Sequence, residues 1–168
     1  MSKHTELGIR MKMYEETQKY SLMKRVPVII RLDGKAFHTC TRGLNKPFDE
    51  NLMEDMQNTA IFLCENIQGA KCAYVQSDEI SLLLTDFDTF KTQAWFHYEL
   101  SKMESISAAY ATARFNQLRL LRNITSIKEL LNLEPEYDDC PVIEYNDVAL
   151  QKLAYFDSRA RNYSKEEV

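Results

Sequence analysis

Two carboxylates carry the chemistry this chain can do. Asp33 closes an apolar run, Val26-Pro-Val-Ile-Ile-Arg-Leu-Asp33, and is followed by Gly34. Asp78 lies in Gln76-Ser-Asp-Glu79, between the apolar runs 70–75 and 80–84. A strand ending in Asp33, beside a hairpin tipped by Asp78, brings two acidic side chains to one place. Hard cations such as Mg²⁺ are held by one or two carboxylates together with substrate phosphates. A pair of such ions clamps the attacking and leaving oxygens of an in-line phosphoryl displacement.

Single residues leave other readings open. Asp33-Gly34 equally suits a type I′ hairpin turn. Ser77-Asp78-Glu79 alone is a polar turn, Asp49 alone a helix N-cap, and Lys102 alone a solvated helix face. His38 alone reads as a structural histidine, and Cys40 as a small packing residue.

The elements that must position these groups follow from periodicity. The spacing predicts a helix over 4–24, a strand over 26–33, a loop over 35–47 and a helix over 49–67. In that helix Leu52, Met56, Ala60, Leu63 and Ile67 share one face. A hairpin follows (70–76 and 79–85), then a long helix over about 91–121 and a strand over 152–161. Its apolar stripe is read as Phe96, Leu100, Met103, Ile106 and Tyr110. Residues 122–150 are less regular, with a short helix near 127–133 and an acidic loop over 134–141. The expected fold is α+β: an N-terminal helix (1–25) and a ferredoxin-like palm (26–168). Its βαββαβ order gives an antiparallel sheet with both long helices on one face.

Composition sets bounds. The chain has 168 residues, enough for one core. Its 21 Lys and Arg against 25 Asp and Glu give a net charge of −4, which advertises no basic nucleic-acid footprint. No apolar run reaches the roughly 20 residues of a membrane helix. The four cysteines lack CxxC spacing and read as reduced thiols of a cytoplasmic protein.

Five motifs in one order resemble the tRNA-His guanylyltransferase superfamily, and its bacterial and archaeal guanylyltransferase-like branch most closely. They are Arg31-Leu-Asp-Gly-Lys-Ala-Phe-His38, Lys46-Pro-Phe-Asp49, Tyr74-Val-Gln-Ser-Asp-Glu-Ile-Ser81, Ser101-Lys102 and Tyr155-Phe-Asp-Ser-Arg159. The resemblance implies a nucleotidyltransferase that builds or repairs tRNA 5′ ends in the 3′-to-5′ direction, with ATP or GTP activating a 5′-monophosphate. It implies two Mg²⁺ ions on Asp33, the Gly34 carbonyl and Asp78, and a catalytic role for Asp33, Asp78 and Glu79. It implies nucleotide contacts at Arg31, Gly34, Lys35, Ala36, Phe37, His38, Lys46, Asp49, Ser77 and Lys102. The implied partners are tRNA, GTP, ATP and further copies in a tetramer. Full-length members continue past residue 168, so the chain looks cut at its C-terminal end. Ser164 and Glu167 stand at capping-box spacing for a helix that would begin there. Two other readings use the same residues: a palm-domain nucleotide cyclase, and a nucleotide- or tRNA-binding module without turnover.

Overall fold

The computed structural model describes residues 5–130, 153–164 and 166–167. In chain order the elements are α1 (Glu6–Glu16), β1 (Val28–Gly34), α2 (Phe37–Cys40), α3 (Glu50–Asn66), β2 (Ala70–Gln76), β3 (Glu79–Leu84), α4 (Leu100–Leu130) and β4 (Phe156–Asn162). The strands form one antiparallel sheet in the order β2-β3-β1-β4. This is the expected α+β, βαββαβ arrangement.

Alternation makes the sheet two-faced. Val28, Ile30 and Leu32 of β1 and Ile80, Leu82 and Leu84 of β3 are all at 0% exposure beneath the helices. The intervening residues face away from that core, and the register lines them up in rows. Gln76, Glu79, Asp33 and Asp157 form one row. Tyr74, Ser81, Arg31 and Arg159 form the next, and Cys72, Leu83, Ile29 and Arg161 the third.

Helix α3 starts where Asp49 accepts a hydrogen bond from the Leu52 amide (3.0 Å), and buries Met56, Ala60 and Leu63. Helix α4 buries Met103, Ser107, Ala111 and Phe115, one residue every four, and the small ones bring its axis close to the sheet. Arg122 ties α4 to α3 through Asn51 (2.9 Å), Glu54 (3.0 Å) and the buried carboxylate of Asp55 (2.7 Å). Along β4, α4 side chains serve outward backbone groups. Glu104 accepts from the Ala160 amide (3.1 Å) and Thr112 from the Phe156 amide (3.2 Å). Asn116 both accepts from and donates to the Ala154 backbone (3.0 and 2.8 Å).

Four expected boundaries are corrected. The first helix ends at Glu16, because Leu22 donates to Tyr98 and Leu100 donates to Tyr20, which holds 20–22 in extended pairing. The long helix begins at Leu100 rather than 91. Phe96, His97 and Tyr98 have positive φ in a tight turn, which excludes Phe96 from the helical stripe. It then runs unbroken to Leu130, so 127–130 belong to it rather than to a separate short helix. The 35–47 loop contains the one-turn helix α2. The acidic stretch 134–141, with Cys140, lies outside the described residues.

Candidate active site

The site sits at the end of the sheet where β1 stops and the β2–β3 hairpin turns. The Gly34 amide donates to the Asp78 carbonyl (3.1 Å), which locks the hairpin tip against the end of β1. Glu79 and Asp157 flank Asp33 in register, one on each neighbouring strand. The Ser77 hydroxyl donates to the Asp78 carboxylate (3.1 Å). Four acids therefore crowd one pole. Burial, followed by the charges of Asp78, Asp157 and Glu79, raises the Asp33 carboxyl above its ordinary value, and Arg31 only partly opposes this. Such a pole gains from a hard, positively charged ligand.

Beside it is a cavity of about 460 Å³, lined by Gly34, Ala36, Phe37, His38, Thr41, Leu52, Ser77 and Asp78. Two lining residues, Ala36 (φ 50°) and Ser77 (φ 55°), are held in the left-handed region. Such backbone costs of order 1–3 kcal/mol per residue and clusters at functional sites. Gly34 is required by close approach. A Cβ there would lie 2.4 Å from the Phe37 ring and 3.1 Å from the Asp78 Cβ. Phe37 has little room to retreat, because its ring packs on Phe115 (5.3 Å) and Phe156 (5.5 Å). Gly34→Ala is expected to cost about 1–3 kcal/mol by overpacking. Urea titration checks this, and unchanged stability would mean the ring can yield.

The remaining expected site residues spread more widely. Arg31 and Glu79 pair with each other and line a separate groove on the open sheet face, of about 380 Å³. Lys35 is exposed, and its amide donates to the Tyr155 carbonyl (2.8 Å). Lys46 is exposed, in a loop with a cis Lys46–Pro47 bond. Asp49 is 8% exposed and spends both oxygens on backbone, the Leu52 and Asn45 amides (3.0 and 3.2 Å). It shapes the loop as an N-cap. Lys102, on the first turn of α4, pairs with Glu99 (3.0 Å). That turn lies beside Ala160, toward the far end of the sheet from Asp33. The described residues thus gather Asp33, Gly34, Ala36, Phe37, His38, Ser77, Asp78 and Glu79 at the pole and leave Lys102 away from it. Cys40 is buried and its thiol donates to the Leu153 carbonyl (3.3 Å), in keeping with a packing residue.

A cation would find hard oxygen donors here: the Asp33 and Asp78 carboxylates and main-chain carbonyls. Among the described residues no group of three or more His, Cys, Asp or Glu side chains is set to hold a metal.

A profile of the family described as Thg1, tRNAHis guanylyltransferase, matches residues 8–164. The chain belongs to that family. Its Thg1-type fold is shared with a bacterial tRNA(His) guanylyltransferase (Thg1)-like protein solved in complex with GTP. That protein is 39% identical, with TM-score 0.75, covering 96% of this chain and 60% of that one. The complex of such a protein with ATP gives 41%, 0.74, 96% and 61%. An uncharacterized protein of Acanthamoeba polyphaga mimivirus is 31% identical over 154 residues, 84% of this chain and 52% of that protein. The chain therefore spans little more than half the length of these relatives.

The pole also includes residues that were not among the expected site residues. Asp157 completes the acidic row, and Thr41 and Leu52 line the cavity. Asp157 had a legible signal: Asp157, Arg159, Arg161 and Tyr163 alternate with Phe156, Ser158 and Ala160, the pattern of a strand with one polar face.

Proposed function

We propose that this chain is the catalytic palm of a magnesium-dependent nucleotidyltransferase. It extends the 5′ end of tRNA in the 3′-to-5′ direction, in guanylylation or end repair, and uses GTP and ATP. The observation that carries the reading is the Gly34–Asp78 hydrogen bond. It ties the turn that carries Asp78 to the end of the strand that carries Asp33, in a chain of this family.

In this reading Asp33, the Gly34 carbonyl and Asp78 hold two Mg²⁺ ions. When bound, the ions neutralise phosphate charge and lower the pKa of the attacking 3′-hydroxyl. Phosphoryl chemistry asks the protein mainly for position and charge. The α2 turn, with Ala36, Phe37 and His38, walls the nucleotide on one side, and Ser77 walls it on the other. Exposed Lys35, between the lining residues Gly34 and Ala36 just before the α2 turn, supplies positive charge near the mouth, and exposed Lys46 supplies it from the loop that leads into α3. Arg31 offers a planar fork to phosphate once released from Glu79. Lys102 reaches a triphosphate only from another copy, which fits assembly as a tetramer in the cytoplasm. Among the described residues no helix is long and apolar enough to cross a membrane.

The test is incubation with GTP, ATP, Mg²⁺ and a 5′-truncated tRNA, followed by sizing of the RNA. Nucleotide addition is expected. A cyclic nucleotide formed without RNA would make the chain a cyclase, and binding without either product would make it a binding module.

A further inference from the structure

The open face of the sheet has no part in the cavity described above, yet it is chemically built. Tyr74 is 64% exposed and stands in the row that carries Arg31 and Arg159. Arg161 stands in the next row, and Tyr163 follows β4. All five line one groove of about 380 Å³. Two of the three arginines are already balanced by acids. Arg31 pairs with Glu79, and Arg159 lies 3.7 Å from Asp157. Arg161 has no ion pair among the described residues. An exposed Tyr74 ring and a half-buried Tyr163 ring, with arginines between them along a four-stranded antiparallel sheet, offer what unpaired bases and phosphates require. Bases stack on aromatic faces and the backbone follows positive charge.

We propose that this face binds single-stranded RNA, with bases stacked on Tyr74 and Tyr163 and a phosphate anchored by Arg161. The proposal deepens the nucleotidyltransferase reading and rests on it for the direction of the strand, whose end points toward the acidic pole. Arg161 and Asp33 lie two rows apart, four residues along the strands. That is about 14 Å, the length of roughly four stacked nucleotides. Duplex RNA keeps its bases stacked on each other and is read through backbone shape, which leaves the two rings unused.

The experiment is fluorescence anisotropy with a short 5′-phosphorylated single-stranded oligoribonucleotide, without GTP or Mg²⁺, against increasing salt. Wild type is expected to bind. Tyr74→Ala and Tyr163→Ala are each expected to weaken binding roughly five- to hundredfold, with Phe at either position restoring it. Arg161→Gln is expected to lower the log–log salt slope by about one. GTP affinity, measured separately, stays unchanged in all of them. The proposal falls if wild type does not bind the oligonucleotide, if the alanine variants bind like wild type, or if a hairpin duplex binds better than the single strand. Binding through the tyrosines in a protein that transfers no nucleotide would sink the enzyme reading and keep the RNA face. Transfer by variants whose RNA affinity is unmoved would do the reverse.

Discussion

Asp33→Ala and Asp78→Ala are each expected to abolish nucleotide transfer, by at least about a thousandfold. A bound metal ion supplies several kcal/mol of charge stabilisation in the transition state, and each 1.36 kcal/mol is a factor of ten. The fold is expected to survive, and for Asp33 to improve. Its carboxyl is raised above 3.8 by burial and by Asp78, Asp157 and Glu79. The folded state then binds that proton more tightly than the unfolded chain. This costs nothing well below the unfolded value, and it destabilises the fold as the pH rises through the raised one. Asp33→Asn removes the charge and keeps the shape. In metal-free buffer its Tm is expected to match wild type at acid pH and to exceed it at neutral pH. A neutral-pH Tm below wild type would show that the carboxylate is held by contacts stronger than the repulsion. Single-turnover assays on both alanine variants check the first effect, and full activity in either would remove that residue from the metal site.

Phe115→Ala is expected to cost about 3–5 kcal/mol, in the range of large-to-small aromatic substitutions in a close-packed core. Phe115 is at 0% exposure, and its ring meets Phe37 at 5.3 Å and Phe156 at 5.6 Å. It thereby joins α4 to the α2 turn and to β4. In a domain of this size the loss corresponds to a Tm drop of roughly 6–20 °C. Because Phe37 forms one wall of the cavity and packs against Gly34, GTP affinity is expected to fall with stability. Phe115→Leu, which keeps most of the volume, should recover the greater part of both. Calorimetry and GTP titration on the pair decide it. A Tm loss with no change in GTP affinity would mean that the cavity does not depend on the aromatic cluster.

What could be read from the sequence was what local rules dictate. Helix α3 falls within one residue of its expected bounds, because a capping Asp49 and a regular apolar stripe specify it together. The hairpin and the Asp33–Gly34 strand end follow from alternation and turn chemistry in the same way. The start of α4 was hidden because Phe96, His97 and Tyr98 adopt backbone angles their residue types rarely choose, in a segment where Leu22 and Leu100 pair with distant carbonyls. Register was equally out of reach. Nothing local says that Asp157 lies opposite Asp33, or that Lys102 belongs to the opposite end of the sheet. Asp49 illustrates a residue with two candidate tasks, and the geometry commits its oxygens to holding up a loop.

The fastening of β4 by Glu104, Thr112 and Asn116 bears on how copies of this protein can meet. Polar side chains of a helix occupy backbone groups that would otherwise solicit another chain. Among the described residues that leaves the sheet asymmetric, with the Phe156 and Ala160 amides taken on one flank and no such fastening along Ala70–Gln76. Two copies that joined along Ala70–Gln76 would each cover that flank of the other, which favours a closed pair over a fibre.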